Sequence, residues 1–177
     1  MILVRPILGS VNAADRRVSD RVRACVPPRW FQVWMIAATR FGDGPGWLAV
    51  GLGLIAAGPD GRAAAVAAVG AALVASLTFM AVKRRFRRAR PCDLAPHPLF
   101  HVRPPDAFSF PSGHTMNAFA IAAVLALRFP SLSPGLLLLA GSVGASRVVI
   151  GLHYASDVWA GAVLGAVIGW MASGICP

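Results

Sequence analysis

Apolar residues in this chain fall in long, nearly uncharged blocks separated by sharply polar turns. The clearest block is 63–82, AAAVAAVGAALVASLTFMAV, which carries no charge, followed by 158–175, VWAGAVLGAVIGWMASGI. A bilayer core about 30 Å thick takes about 20 helical residues, so both blocks read as membrane-spanning helices. Shorter blocks at 46–58, 112–128 and 134–150 read as further spans, since fewer residues suffice where flanking groups snorkel. A sixth, 30–41, contains Arg40 and reads either as a span or as a helix lying in the interface. Residues 1–29 are Arg-rich with interspersed Asp and end at Pro27-Pro28; 12–25 reads as an amphipathic surface helix. Gly42-Asp43-Gly44-Pro45, Pro59-Asp60-Gly61 and Pro130-Ser131-Leu132-Ser133-Pro134 punctuate the blocks as turns. The pattern predicts an all-α fold: one integral-membrane domain over 1–177, a polytopic transmembrane helical bundle of about six spans. It has an N-terminal interfacial segment at 1–29 and a long basic, proline-bearing connection at 83–111. A loop of that length in a compact protein is expected to be functional.

Composition sharpens this picture. Hydrophobic residues make up 56% and charged ones 14%, against about 25% charged in an average soluble domain. That excludes an ordinary soluble globule, and the apolar content excludes a disordered tail. Lys plus Arg is 17 and Asp plus Glu is 7, for a net charge of +10; every acid is Asp and Lys83 is the single lysine. A carboxylate-rich metal cage has little to be built from, so neither a metal nor a cofactor is expected. Anionic lipid is the expected partner, and nucleic acid is not, because no soluble basic domain is visible. Cys25, Cys92 and Cys176 form no CxxC pair and predict neither a disulfide nor a zinc site. Arg5 interrupts the first apolar stretch, so no cleavable leader is expected.

If all six blocks cross, both termini share one side, and 83–111 and 147–157 share the other. Arg and Lys then number eight on the terminal side and nine on the other, and the positive-inside rule does not decide between them. The second set reads as a binding site whose charges answer to a ligand. The expected arrangement is therefore a multi-pass membrane protein with termini in the cytoplasm and the site on the other side of the membrane.

Three clusters at block ends carry candidate chemistry. The first is Lys83-Arg84-Arg85-Phe86-Arg87-Arg88-Ala89-Arg90-Pro91. Lys83 and Arg90 are two helical turns apart and share a face if the helix continues, which suits a phosphate. Taken alone, such a run reads more plainly as a juxtamembrane anchor for anionic lipid heads. The second is Phe110-Pro111-Ser112-Gly113-His114-Thr115, which marks a helix start. Backbone N–H groups there suit an anion, Gly113 permits close approach, Ser112 adds a hydroxyl, and His114 is placed to give a proton to a leaving oxygen. A Ser cap with a bystander histidine fits the residues equally well. The third runs from Ser146-Arg147 to His153 and Asp157. His153 and Asp157 stand at i and i+4, so the carboxylate can fix the imidazole tautomer and free the other nitrogen to attack; Arg147 adds a further clamp. The plainer alternative is a His–Asp pair tying two spans together. Jointly the clusters describe a phosphoryl-transfer site built on cations, N–H groups and two histidines.

The ordered set Lys83-x6-Arg90-Pro91, Pro111-Ser112-Gly113-His114 and Ser146-Arg147-x5-His153-x3-Asp157 resembles the type 2 phosphatidic acid phosphatase superfamily, from about residue 63 to the end of the chain. The resemblance implies metal-independent hydrolysis of a lipid phosphate or pyrophosphate. It implies His153 as the nucleophile that forms a phosphohistidine, Asp157 as its orienting carboxylate, and His114 as the acid and then the base. Lys83, Arg90 and Arg147 become the phosphate clamp, with Ser112 and Gly113 beside them. The short architecture is similar to bacterial undecaprenyl pyrophosphate and phosphatidylglycerophosphate phosphatases. The leading expectation is conversion of undecaprenyl pyrophosphate to the monophosphate. Phosphatidic acid, phosphatidylglycerophosphate and lipid A are the alternatives, as is transfer from the same histidine to an acceptor lipid. The expected partner is thus an anionic phospholipid or a polyprenyl pyrophosphate in the bilayer.

Arg84, Arg85, Arg87 and Arg88 lie outside the signature and are expected mostly to face water or lipid heads, and His97 and His101 to be solvated loop residues. Gly161, Gly165, Gly169 and Ser173 form a small-residue stripe. Its expected use is packing within the chain rather than a dimer seam, giving a monomer or weak homodimer. Trp30, Trp34, Trp47, Trp159 and Trp170 are expected near the interfaces.

Overall fold

The computed structural model describes residues 4–94 and 106–174, with side chains from residue 11 onward. His97, His101, Arg103 and Cys176 lie outside the described residues. The order of helices is α1 (Val4–Ala24), α2 (Arg29–Gly42), α3 (Pro45–Ala56), α4 (Pro59–Phe86), the short α5 (Pro91–Leu94), α6 (Gly113–Arg128), α7 (Ser133–Val149) and α8 (Ala155–Ser173), with one 3-10 turn at Pro130–Leu132. Prolines open α3 and α4, where a missing N–H costs nothing. The glycines before them, Gly44 and Gly58, take φ of 128° and 104°, a conformation that side chains resist.

Among the described residues three stretches are long and apolar enough to cross a membrane on their own, Pro59–Leu94, Pro130–Val149 and Ala155–Ser173; Pro45–Ala56 is apolar but shorter. The bundle centres on α6 and α8, which run side by side in the same direction. Gly161 lies against Ser112 and Thr115, Gly165 against Met116, and Gly169 against Ala120. A Cβ at Gly161 would stand 2.7 Å from the Ser112 carbonyl oxygen, and one at Gly165 or Gly169 would collide with the carbonyl of Met116 or Ala120. The glycine stripe is therefore used within the chain, to bring two backbones together. On the other face of α6, an alanine row on α4 (Ala64, Ala67, Ala68, Ala71, Ala75) packs on Met116, Ala120, Ile121 and Val124. Trp30, Trp34, Trp159 and Trp170 are exposed, as belt residues would be. Trp47 instead packs partly buried against the core.

The first two helices depart from the expected arrangement. Phe31 and Val149 line one small cavity, Thr39 reaches Arg147, and Gly42 packs against Val143. The start of α2 thus shares a cavity with the end of α7, and its last turns touch Arg147 and Val143, within about 9 Å of helix, so α2 lies across that end of the bundle. Helix α1 stands at the same end, because Asp15 is hydrogen-bonded to Ser156 at the start of α8. Since α8 runs away from there to Ser173, α1 and the far end of α8 lie at opposite ends of the bundle. This placement of α1 and α2 differs from the expected one, in which 30–41 crosses and both termini share one side. The cause is local: α2 is apolar but only 14 residues long, and Thr39 near its end is bonded to Arg147.

Candidate active site

Four chain segments meet at the end of the bundle where α4 and α7 finish and α6 and α8 begin. The 150–154 turn is fixed first. Gly151 takes φ of 81°, and the Arg147 carbonyl accepts the N–H groups of Leu152 and His153, both at 3.0 Å. That turn places the His153 ring, almost fully buried, between two charged partners. Arg90 Nη1 lies 3.2 Å from His153 Nε2, and Asp157 Oδ2 lies 3.6 Å from Nδ1. A guanidinium only donates, so Nε2 is the accepting nitrogen and the proton sits on Nδ1, toward the carboxylate. Burial, with the charges of Arg90 and Arg147, outweighs the pull of Asp157 and pushes the imidazole down to about 3. His153 is therefore neutral at physiological pH, with the lone pair of Nε2 directed at the cations.

Asp157 is held by its position in α8. At N3 of that helix, its Oδ2 accepts the N-cap N–H of Tyr154 at 2.9 Å, closing one arm of a capping box. Its own carbonyl accepts the Ser112 N–H at 3.1 Å, which ties the start of α8 to the start of α6.

The cations come from three directions. Lys83, on the last turns of α4, and Arg90, just before α5, are both buried. Arg90 also donates to the Leu152 carbonyl at 2.8 Å, so its reach is set by the histidine's own turn. Arg147, at the end of α7, is buried with Nη1 on the Thr39 hydroxyl, and its Nε has no partner. A buried, unpartnered guanidinium N–H beside a neutral histidine is a donor left for an anion.

A carboxylate already stands among these cations. Asp106 accepts from Lys83 Nζ at 2.7 Å and from Arg90 Nη2 at 3.0 Å. Burial alone would raise this carboxyl. The Lys83 hydrogen bond and the charges of Lys83 and Arg90 nevertheless hold it below the usual carboxylate range.

The α6 cluster is arranged somewhat differently from expectation. Ser112 is the N-cap of α6: its hydroxyl lies 2.9 Å from Thr115 Oγ1 and accepts the Thr115 N–H, and the residue is fully buried. Gly113 is covered by the Phe79 ring, which a Cβ would meet at 3.0 Å. His114 reaches outward, with Nε2 at 2.8 Å from Asp43 Oδ1 in the α2–α3 turn. All eight residues expected at the site (Lys83, Arg90, Ser112, Gly113, His114, Arg147, His153 and Asp157) thus lie at one end of the bundle. Among the described residues no group of three or more His, Cys, Asp or Glu side chains converges as a metal site requires.

Sequence reasoning missed five participants: Asp15, Thr39, Asp43, Arg88 and Asp106. One signal was available. With only seven acids among seventeen bases in an apolar chain, each Asp is a candidate partner for a buried cation.

A family model described as the PAP2 superfamily matches residues 64–175. Decaprenylphosphoryl-5-phosphoribose phosphatase of Mycobacterium tuberculosis is 39% identical over 127 residues, which cover 70% of this chain and 68% of that protein. Phosphatidylglycerophosphatase B of Bacillus subtilis is 38% identical over 104 residues, 52% of this chain and 48% of its own length. Among solved structures, the transmembrane PAP2-type phosphatidylglycerolphosphate phosphatase of Bacillus subtilis aligns with a TM-score of 0.73 at 28% identity, over 94% of this chain and 86% of that one. Aquifex aeolicus LpxE shares the fold, with a TM-score of 0.74 at 24% identity over 88% of this chain and 92% of its own.

Proposed function

The chain belongs to the PAP2 superfamily and is a membrane-embedded lipid phosphatase, and we propose that it removes a terminal phosphate from a polyprenyl-linked lipid through a phosphohistidine on His153. The observation that carries this reading is the pair of contacts on one buried imidazole, Asp157 at Nδ1 and Arg90 at Nε2. In the first step the Nε2 lone pair attacks phosphorus, the bond to the leaving oxygen breaks, and His114 gives that oxygen its proton. The Nδ1 proton stays opposite Asp157, which balances the charge that forms on the ring. In the second step water attacks the phosphohistidine, His114 takes the water's proton, and the P–N bond breaks to release inorganic phosphate. Lys83, Arg90 and Arg147 hold the phosphoryl oxygens throughout, and Asp106 gives up its cations to the incoming phosphate.

Two observations bear on the substrate. The apolar groove between α3, α4 and α6, of about 730 Å³, is lined by Trp47, Leu54, Val66, Ala72, Ser76 and Ile121 and suits a hydrocarbon tail. The cation set is sized for one phosphate. Arg84, Arg85 and Arg87 are exposed, and both terminal nitrogens of Arg88 are engaged by carboxylates. This favours a phosphomonoester on a polyprenylphosphoryl sugar, as in the name of the Mycobacterium tuberculosis relative, over undecaprenyl pyrophosphate.

Orientation follows from the position of α1. With α1 and α2 at the site end, that end carries Arg16, Arg17, Arg21, Arg23, Arg29, Arg40, Lys83, Arg84, Arg85, Arg87, Arg88, Arg90 and Arg147, while the far end carries Arg62 and Arg128. The imbalance survives removal of the four that hold phosphate or Asp157. By the positive-inside rule the site faces the cytoplasm, in place of the exterior expected when α1 was assigned to the far end.

The test is phosphate release by the purified protein in detergent with excess EDTA. The panel holds a polyprenylphosphoryl ribose phosphate, undecaprenyl pyrophosphate, phosphatidic acid, phosphatidylglycerophosphate and lipid A. The expected result is EDTA-resistant turnover, fastest on the first lipid and abolished by His153→Ala. Equal turnover in the variant would remove the phosphohistidine, and a phosphorylated acceptor lipid in place of free phosphate would make the protein a transferase.

A further inference from the structure

The N-terminal third lies outside the matched superfamily region, yet one of its carboxylates reaches the catalytic end. Asp15, on α1, is 5% exposed. Its Oδ1 accepts the backbone N–H of Ser156 at 3.1 Å and its Oδ2 takes the Ser156 hydroxyl. Between Asp15 and Asp157 lies Arg88. Its Nη2 donates to Asp15 Oδ2 at 2.7 Å and to Asn12 Oδ1 at 2.8 Å. Its Nη1 donates to Asp157 Oδ1 at 2.6 Å and to Ser156 Oγ at 2.8 Å. The guanidinium lies 4.1 Å over the centre of the Tyr154 ring. Arg88 leaves the row of exposed arginines because Arg87 ends α4 in the left-handed region, at φ 48°, and turns the chain.

We propose that Arg88 is a positioning residue for the hydrolysis, holding the Asp157 carboxylate against His153, and that Asp15 fixes Arg88 from outside, making α1 part of the catalytic apparatus. The inference rests on the reading of His153 and Asp157 as the working dyad. A carboxylate is oriented only when both oxygens are held. Oδ2 faces His153 Nδ1 and takes the Tyr154 N–H, and among the described residues Arg88 alone supplies the side-chain donor for Oδ1. Without it the carboxylate is held at one oxygen only and is freer to turn away from Nδ1, which it faces at 3.6 Å. The charge balance is consistent. Two carboxylates around one guanidinium leave a net negative charge beside the ring that becomes cationic in the transition state. The same engagement of both terminal nitrogens withdraws Arg88 from the substrate, so its removal acts on the rate of the step and not on the binding of phosphate.

The experiment measures kcat, KM, the pH profile of kcat and thermal stability in detergent, on whichever lipid of the panel above is turned over. The variants are Arg88→Ala, Arg88→Lys, Asp15→Ala and the double variant, with His153→Ala as control. The groups facing the dyad are Arg88 and Tyr154 on Asp157, Arg90 and Arg147 on His153, and Asp15 across Arg88. Arg88→Ala is expected to lower kcat about 10- to 100-fold with KM within about twofold. The acid limb of kcat should move to higher pH, since a cation that favours ionised Asp157 and neutral His153 is gone. Arg88→Lys should restore part of kcat, and Asp15→Ala should add little in the Arg88→Ala background, as coupled residues do. A fall in thermal stability alone, with kcat per folded molecule and the pH profile unchanged, reduces Arg88 to a structural tie and overturns the proposal. Independent, multiplying losses for Asp15 and Arg88 overturn the part given to α1. Full turnover in His153→Ala, or none in the unmodified protein, removes the parent reading and this one with it, and is told apart because it does not depend on Arg88.

Discussion

His153 shows how burial among cations holds an imidazole neutral at a cost. Its imidazole is nearly inaccessible, flanked by two guanidinium groups, and its protonated form is disfavoured down to about pH 3, against 6.5 for the free side chain. The sign of the linkage follows. Above pH 6.5 the ring is neutral both folded and unfolded and contributes nothing. Between 6.5 and about 3 the unfolded chain takes up the proton first, so stability falls as pH falls. The thermal midpoint of the wild type should therefore drop more steeply across that window than that of His153→Gln, with the two curves parallel above pH 7. Parallel curves throughout would show the ring protonated or solvated in the folded protein. The His153–Asp157 pairing was legible in the sequence from its four-residue spacing, although the 150–154 turn held by the Arg147 carbonyl, and not a helix, places the His153 ring. Asp106, Asp43 and Thr39 were not legible. Each reaches its partner, Lys83, His114 or Arg147, across more than twenty positions of sequence, and no local periodicity encodes such a meeting.

Among the helices, the same contrast holds between α8 and α2. The stripe Gly161, Gly165, Gly169 announces a close helix contact, and the structure places it against α6 with no room for a side chain. Gly165→Val should cost about 1–3 kcal/mol or more by overpacking. It should also loosen the site, since the same contact sets the Ser112–Asp157 backbone bond that joins the starts of α6 and α8. Gly53→Ala, where a Cβ meets open space, is the matched control and should leave the thermal midpoint in detergent unchanged. A midpoint unmoved by Gly165→Val would show that α6 and α8 do not meet there. Helix α2 offered no comparable signal. A 14-residue apolar helix ending in Arg40 has the same sequence whether it crosses a bilayer or lies along its surface. The decision came from tertiary contacts of Phe31, Thr39 and Gly42, all to one end of α7.

At the scale of the whole molecule, the proposed orientation rests on the position of α1, and with it the leaflet that would supply the substrate. The charge count read from sequence was balanced only because α1 and Arg29 were assigned to the end opposite the site, and the contacts of Asp15 reverse that assignment. Cys25, exposed at the end of α1, and Cys92, half-buried at α5 beside the site, then lie on the same side of the membrane. The earlier arrangement puts them on opposite sides. A membrane-impermeant maleimide applied to intact cells should label neither thiol, and the same reagent on inverted membrane vesicles should label both, Cys25 faster because it is more open. Labelling of both from outside would keep the position of α1 and turn the enzyme over, returning the substrate to the outer leaflet. Labelling of Cys25 and Cys92 from opposite sides would contradict the contact between Asp15 and Arg88, and with it the tie between α1 and Asp157. A cytoplasmic site, as proposed, would draw its lipid phosphate from the inner leaflet, and an exterior site would draw it from the outer one. The orientation measured by two thiols therefore constrains the substrate independently of any turnover assay.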